Sequence, residues 1–393
     1  MMSLTNNNGW SFSSQDFSGP TERMTGLPNI AYMSHEFAKF ERDHVLAKTW
    51  FCAGNVAQLP ANSWLQPVDI LDLPLLIVRT RDGEIRTFHN VCSHRGMKLV
   101  QQSGRSNGII TCPYHSWCYG EAGELRSTPH VKGEGNHNDD RLDKSLHGLK
   151  EVRTHIFAGL IFVNISGDAP AFETFIEPVT SHWHEFNFDL YHHGGEESHW
   201  EITLEGNWKF AQENHVDGYH LPFVHPDLNS YSPLRDHYPL VIEGSASGQG
   251  TICQAHGGAI GDGQLPPNPY LSEPWQRGRS EFLSVFPNVM IGVHSDHIWT
   301  VHLIPTQAGQ TIERMDLHYF GEGATSDRFA DLRLNNRNRM LQIFEEDRAM
   351  VEGMQRGRQS TAFDGGALAP EMDQPAHCFN KIAASAIIQA LDI

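Results

Sequence analysis

Two cysteine–histidine pairs constrain this chain more than any other feature. The first pair is Cys92 and His94, the second is Cys112 and His115, and 17 residues separate His94 from Cys112. Thiolate together with imidazole suits zinc or an iron–sulfur cluster rather than calcium or magnesium. Structural zinc sites usually pair Cys with Cys and His with His, whereas each pair here is mixed. The mixture favours a [2Fe–2S] centre, with two cysteines on one iron and two histidines on the other.

Length and charge limit the classes of function that the chain can serve. Its 393 residues are enough for two or three domains. The 29 basic and 47 acidic residues give a formal net charge of −18, which disfavours nucleic-acid binding because that binding needs basic side chains to neutralise phosphates. Neither a polybasic membrane signal nor an apolar stretch long enough to span a bilayer is present. Without a secretory pattern at the first residues, we expect a cytoplasmic protein with reduced cysteines.

The pattern of apolar residues divides the chain into three parts. Residues 1–44 are predicted to be an N-terminal segment that packs on the last domain. Residues 45–166 contain short strands broken by turns, including a buried strand over His155–Val163, and predict an all-β domain with the cluster ligands on hairpin tips. Residues 167–393 combine strands, one of them over Thr251–His256, with helices, and the longest helical pattern covers Asp327–Gln355.

The residues around the two pairs add specificity. Arg95 and Gly96 follow the first pair, and Trp117 follows the second. With them, the segment resembles the cluster domain of the oxygenase (alpha) component of Rieske non-heme iron oxygenases. A Rieske ferredoxin, which only transfers electrons, is an alternative, although most of this chain lies beyond the cluster segment. A zinc-stabilised ligand-binding protein with a helix-grip pocket is a second alternative.

A second candidate site lies in the segment Asn207–His225. A mononuclear iron(II) oxygenase site needs two histidines and one carboxylate on one face of the metal. His220 and His225 are five residues apart with Pro222 between them. A helix that ends near Leu221 could bring both imidazoles to one point. The segment resembles the iron-binding segment of the same family, which implies that His220 and His225 bind iron.

The same resemblance implies roles for three neighbours in this segment. Asp217 lies three residues before His220, which would place both on one side of a helix. In the family, an acidic residue at this position links the iron site of one subunit to the cluster of the next subunit. Asn214 and Tyr219 match positions that line or support the site, although helix packing explains them equally well.

The third iron ligand is expected to be a carboxylate on the predicted helix near the C-terminus. The family pattern of an acidic pair that ends in Asp falls on Asp347. We therefore assign Asp347 as the ligand. Its neighbours Glu345 and Glu346 are expected to contact the ligands without binding the iron, or to face solvent.

The resemblance implies an α+β protein with an all-β Rieske domain and a helix-grip catalytic domain, in which an antiparallel sheet wraps around a long helix. It implies a homotrimer and two cofactors, a [2Fe–2S] Rieske cluster and mononuclear Fe(II). Electrons would come from a separate NAD(P)H-dependent reductase, directly or through a ferredoxin. No Gly-x-Gly-x-x-Gly fingerprint follows a predicted strand, so the chain is not expected to bind the nicotinamide itself.

Aromatic residues are the candidates for a substrate pocket, namely Phe210, Phe223, Phe282, Phe286 and Trp299. They suit an aromatic ring or a quaternary ammonium group held by cation–π contacts, and core packing would explain them as well. The chain length resembles the branch with choline-, betaine- and carnitine-type monooxygenases. We therefore expect O2-dependent hydroxylation or oxidative demethylation of a small polar or quaternary ammonium compound. The large subunit of an aromatic ring-hydroxylating dioxygenase is the alternative.

Overall fold

The structure is a computed structural model, and it describes residues 4–5, 10–252 and 264–391. The chain separates into two compact units, one of Ala47–Ala169 and the other of Met1–Leu46 with Pro170–Ile393. Helices and antiparallel sheets make an α+β architecture, as predicted. In the described ranges, no helix is both long and apolar enough to cross a membrane.

The unit Ala47–Ala169 is built from two antiparallel sheets. The seven strands of the larger sheet lie in the spatial order Phe51–Asn55, Leu160–Asn164, Glu151–Phe157, Ile85–His89, Leu73–Arg79, Trp64–Ile70 and Gly104–Arg105. The three strands of the smaller sheet are Leu125–Ser127, Cys118–Gly120 and Ile109–Thr111. Both sheets contribute to one hydrophobic core, which contains Phe88, Ile110 and the cysteines of both pairs. The core therefore brings Cys92 and Cys112 together.

The strand predicted over His155–Val163 is wrong in its extent. The chain forms a hairpin there, in which Glu151–Phe157 pairs with Leu160–Asn164. Ala158 and Gly159 make the turn, with φ of 50° and 76°. Two consecutive residues with positive φ match the twist of a two-residue hairpin. Because apolar residues continue on both sides of the turn, hydrophobicity alone did not reveal it.

The second unit contains an eight-stranded antiparallel sheet within the described residues. Seven strands follow one another in the order Tyr191–His193, Gln310–Phe320, His297–Gln307, Val289–Val293, Ser280–Val285, Ala246–Thr251 and His237–Ile242. His199–Leu204 also pairs with Gln310–Phe320. The strand predicted over Thr251–His256 meets the observed strand Ala246–Thr251 only at Thr251. Residues 253–256 lie outside the described ranges.

One face of this sheet packs against the long helix Ala330–Gly357. Phe344 of the helix contacts Trp299 of the sheet, with ring centroids 5.9 Å apart. The helix predicted over Asp327–Gln355 is confirmed from Ala330 onward. Its first turn, Asp327–Phe329, is a 3-10 helix. The helix Gln374–Leu391 was not predicted. The remaining α-helices among the described residues are Ile30–Met33, His35–His44, Phe172–His182, Trp208–Val216, Leu221–Val224, Pro226–Tyr231 and Glu273–Gln276.

The N-terminal helix His35–His44 contributes a buried charge to the second unit. The Glu41 carboxylate accepts hydrogen bonds from Lys209 Nζ at 2.7 and 2.9 Å. The side chains of Lys209 and Glu41 are 0% and 3% exposed. Trp208 Nε1 donates a further hydrogen bond to Glu41 at 3.2 Å. Removal of one ion from such a pair leaves the other charge buried without compensation.

Lys209→Met is therefore expected to lower the free energy of unfolding of this unit by about 3–5 kcal/mol, measured by urea denaturation. Lys381→Met is the matched control, since the ion pair of Lys381 with Glu243 (3.1 Å) has side chains 44% and 70% exposed. That exposed pair should contribute less than about 1 kcal/mol. Equal losses in the two variants would contradict the role of the buried pair.

Candidate cluster and iron sites

The loops 92–97 and 112–117 have the same backbone hydrogen bonds. In both, the amide of the first residue donates to the carbonyl of the sixth at 2.8 Å. In both, the amide of the fifth residue donates to the carbonyl of the first at 3.0 Å. The two loops therefore hold their cysteines in equivalent positions, whereas the histidine is the third residue of the first loop and the fourth of the second.

The four predicted cluster ligands lie together at the tips of these loops. Cys92 and Cys112 are buried in the core, 3% and 2% exposed. His94 is exposed and His115 half-buried, and their ring centroids are 4.8 Å apart. Two thiols on the core side and two imidazoles on the solvent side form the donor set that an asymmetric [2Fe–2S] cluster requires. The residues present therefore fit this cluster.

Two aromatic side chains hold the ligands in place. The indole of Trp117 stacks on the His94 ring, with centroids 4.6 Å apart and an interplanar angle of 8°. The Tyr119 hydroxyl lies 3.1 Å from Cys92 Sγ and accepts a hydrogen bond from the Ser93 amide. Burial raises the pKa of Tyr119 to about 12, so the hydroxyl keeps its proton and can donate it to the sulfur. Hydrogen bonds to cluster sulfur atoms tune the reduction potential.

The segment that carries the two iron-site histidines is bent more than predicted. The helix Trp208–Val216 ends four residues before His220, and Asp217 is its C-cap in an extended conformation. A turn follows, then the short helix Leu221–Val224, whose C-cap is His225. Asp217 and His220 therefore do not share a helix face. The turn itself brings their side chains together.

The imidazoles of His220 and His225 both direct Nε2 towards Asp347. His225 Nε2 lies 2.9 Å and His220 Nε2 lies 3.5 Å from Asp347 Oδ1. One ligand atom of each of the three side chains falls within 4.8 Å of the others. On the opposite edges, His220 Nδ1 contacts Asp217 Oδ2 at 3.1 Å, and His225 Nδ1 contacts Glu346 Oε2 at 2.7 Å.

Carboxylates behind the histidines select the tautomer that a metal needs. A proton on Nδ1 can be donated to Asp217 or Glu346, which leaves Nε2 of each ring free to bind an ion. Burial lowers the pKa of His225, but the carboxylates of Asp347 and Glu346 raise it by more, so the net pKa lies above its usual value. Metal binding would displace that proton. Two imidazoles and one carboxylate at one point fit mononuclear iron(II).

Glu346→Gln is expected to weaken iron(II) binding about 10–100-fold, because an amide orients the His225 ring less strongly than a carboxylate. Titration of the iron-depleted protein with iron(II) measures the affinity. Glu345→Gln is the control, since Glu345 pairs with Arg348 at 2.7 Å on the same helix. Similar affinities in the two variants would contradict the role of Glu346.

A cavity opens from the three candidate ligands towards the sheet. Trp299 and Phe282, whose rings stack with centroids 5.9 Å apart, form part of its wall. Gly292 lies opposite Trp299 in the sheet, and a Cβ at this position would lie 2.1 Å from the indole. Only glycine therefore leaves room for the Trp299 ring. Other lining residues include Leu204, Asn214, His215, His237, Gln249, Met290, His294, Glu313, Phe344, Arg348 and Val351.

Several predicted pocket residues lie elsewhere. Phe210 is fully buried and stacks on Tyr32, with ring centroids 4.4 Å apart, so it belongs to the core. Phe223 and Tyr219 are 78% and 49% exposed, because the turn that aims His220 inward points them outward. Phe286 packs against Trp208 and Phe379 rather than the cavity. Among the predicted candidates, Trp299, Phe282 and Asn214 do line the cavity.

Several polar residues of the cavity wall were missed, among them His215 and Glu313. His215 contacts Trp299 edge-on at 5.4 Å, and burial lowers its pKa to about 4, so the ring is neutral. Its place beside Asn214 in the second segment could have drawn attention to it. Glu313 lies on the strand Gln310–Phe320 and is 4% exposed. Nothing in the sequence distinguishes this carboxylate from the solvent-facing acids of an edge strand.

Comparison with known proteins gives two family matches. Residues 189–388 match the model described as "Ring hydroxylating alpha subunit (catalytic domain)". Residues 49–150 match the model described as "Rieske [2Fe-2S] domain". The two matches contain the candidate iron site and the cluster loops, respectively.

Relatives fall into two substrate groups. The alpha subunit of 2-aminobenzenesulfonate 2,3-dioxygenase from Alcaligenes sp. is 33% identical over 51% of this chain, and this match spans only 49% of that protein. The oxygenase subunit of carnitine monooxygenase from Acinetobacter pittii is 24% identical over 89% of this chain and 90% of that protein. A solved structure of a quaternary ammonium Rieske monooxygenase has a TM-score of 0.77 at 20% identity, covering 95% of this chain and 98% of that one. At this identity, the last match shows the fold alone.

Proposed function

The chain belongs to the family of ring-hydroxylating alpha subunits, oxidoreductases that incorporate O2, and we propose that it hydroxylates or oxidatively demethylates a small polar or quaternary ammonium compound. Members bind a Rieske [2Fe–2S] cluster and mononuclear iron. The observation that supports the proposal most is the convergence of His220, His225 and Asp347 at one end of a cavity walled by Trp299 and Phe282.

The substrate class is supported by the relatives and by the cavity. The carnitine monooxygenase match extends over both units, whereas the 33% identical dioxygenase match covers half of the chain. Trp299, Phe282 and Phe344 offer ring faces, which attract an ammonium group through cation–π contacts.

The proposed reaction inserts one oxygen atom into a C–H bond. One O2, two electrons and two protons give a hydroxylated carbon and one water; hydroxylation of an N-methyl carbon is followed by C–N cleavage and release of formaldehyde. Iron held by His220, His225 and Asp347 would activate O2, with electrons from the cluster. Asp217 and Glu346 would fix the tautomers of the two imidazoles. The cavity wall would limit the access of water to the iron.

The proposed assembly follows from the same family resemblance. Residues 45–166 would form the Rieske domain, residues 167–393 the catalytic domain, and residues 1–44 a segment packed on the catalytic domain. Three copies would form a cytoplasmic homotrimer in which Asp217 connects the iron site to the cluster of a neighbouring copy. A separate NAD(P)H-dependent reductase would supply the electrons, directly or through a ferredoxin.

Turnover of a substrate panel tests the proposal. The protein loaded with both cofactors, with its cluster reduced chemically, is given choline, glycine betaine, carnitine and 2-aminobenzenesulfonate under O2. We expect one or more of the ammonium compounds to yield product in proportion to the O2 consumed. Conversion of the aromatic compound alone would contradict the proposed substrate class and favour a ring-hydroxylating dioxygenase, the alternative that the 33% identical relative supports.

A further inference from the structure

Glu313 places a carboxyl group in the wall of the substrate cavity. It lies on the strand Gln310–Phe320, opposite Leu303 on one neighbouring strand and Ile202 on the other. Glu313 is 4% exposed and lines the cavity. Leu204, Val351 and Arg348 belong to the same wall.

The Glu313 carboxyl makes no hydrogen bond or ion pair with any residue that the structure describes. Arg348 is the basic side chain that acts on it, but the Arg348 guanidinium is engaged elsewhere. It pairs with Glu345 at 2.7 Å and donates to the Thr203 carbonyl at 3.0 Å. Burial, with a smaller contribution from Asp347, raises the pKa of Glu313 to about 8. With no compensating charge beside it, the Glu313 carboxyl is therefore protonated near pH 7 until a cation enters the cavity.

Two further histidines of the cavity wall do not supply the missing positive charge. Burial lowers the pKa of His215 to about 4 and also lowers the pKa of His237, so both rings are neutral near pH 7. The imidazole nitrogens of His220 and His225 are committed to the candidate iron site. An incoming cation would stabilise the ionised form of Glu313 through an ion pair, whereas a neutral molecule would leave Glu313 protonated.

We propose that Glu313 is the counter-ion through which the cavity selects a cationic alkylammonium substrate over a neutral one of the same shape. This inference rests on the proposed function and deepens it by naming a specificity-determining residue. Cation–π contact with the aromatic wall adds to the selection. Its contribution is limited, because a neutral apolar group of the same shape also packs against these rings. When a cation binds, Glu313 releases its proton to solvent, and the resulting ion pair in a buried site supplies the larger part of the discrimination.

Choline and 3,3-dimethylbutan-1-ol test the proposal, because they differ only in the replacement of N⁺ by carbon. Calorimetry with the cofactor-loaded protein gives the two dissociation constants. We expect wild type to bind choline at least about tenfold more tightly, and Glu313→Gln to reduce this ratio to about threefold or less. Glu313→Asp keeps the charge and should keep most of the preference. Glu201→Gln, on a neighbouring strand with its side chain 43% exposed, should match wild type.

The proposal is overturned if Glu313→Gln retains the wild-type preference, or if wild type itself shows none. Iron content and melting temperature are measured for every variant, so that loss of the fold or of iron is not mistaken for loss of selection. Failure here is distinct from failure of the proposed function. If the wild type oxidises ammonium compounds but Glu313→Gln discriminates equally well, the proposed function stands and the proposed role of Glu313 is wrong.

Discussion

Asp347→Ala is expected to leave a protein that keeps its iron–sulfur cluster but loses both mononuclear iron and turnover. Asp347 Oδ1 is the atom nearest to both imidazole Nε2 atoms, at 2.9 and 3.5 Å. Without this carboxylate, two neutral nitrogen ligands remain, and they are too few to retain iron(II) in a site that must stay open on one face. Iron should fall from about three to about two atoms per chain, with acid-labile sulfide unchanged.

Asp331→Ala provides the control for that loss. Asp331 lies on the same helix, Ala330–Gly357, but it is exposed in the first turn, far along the chain from the site. This variant should keep wild-type iron content and product formation. Retention of the third iron by Asp347→Ala, with normal turnover, would contradict the assignment of Asp347 as a ligand.

Asp217→Asn is expected to separate electron transfer from cofactor binding. Asp217 Oδ2 contacts His220 Nδ1 at 3.1 Å, and Asp217 Oδ1 accepts a hydrogen bond from the Tyr219 amide at 2.5 Å. The amide can keep the turn, but it removes the charge that would connect the two metal centres. Loading with excess iron(II) offsets any weaker orientation of His220, and steady-state turnover should then still fall about 100-fold or more, with sulfide content near wild type. The reduced cluster should then persist when O2 and substrate are added.

Asp227→Asn is the matched control for the relay, since Asp227 is an exposed acid in the adjacent helix Pro226–Tyr231. It should reoxidise its cluster at the wild-type rate. Rapid reoxidation of the cluster in Asp217→Asn, coupled to product formation, would contradict the proposed role of Asp217. Recovery of wild-type turnover after loading with excess iron(II) would instead show that Asp217 acts mainly by orienting His220.

The sequence predicted correctly which side chains come together where these residues are close along the chain. Cys92 and His94, like Cys112 and His115, are close in sequence, so a tight turn brings each pair together whatever surrounds it. His220 and His225 are near enough for a bent segment to do the same. Asp347 is distant in sequence, and its assignment depended on resemblance to a family.

The parts that were missed or wrong depend on the direction of single side chains. Phe223 and Tyr219 point outward because the chain turns after Val216, one turn earlier than expected. Glu313 faces inward because its strand pairs on both sides and packs under the long helix. Alternation along a strand fixes which residues share a face, but only the packed fold decides which face meets the cavity.

Analysis of metal and sulfide, with an electron paramagnetic resonance spectrum of the reduced protein, tests the central claim most directly. We expect about three irons and two acid-labile sulfides per chain, together with a Rieske signal. If iron is lower, reconstitution with iron(II) should restore one atom per chain and product formation. Zinc without sulfide, in a colourless protein, would contradict the account of both sites.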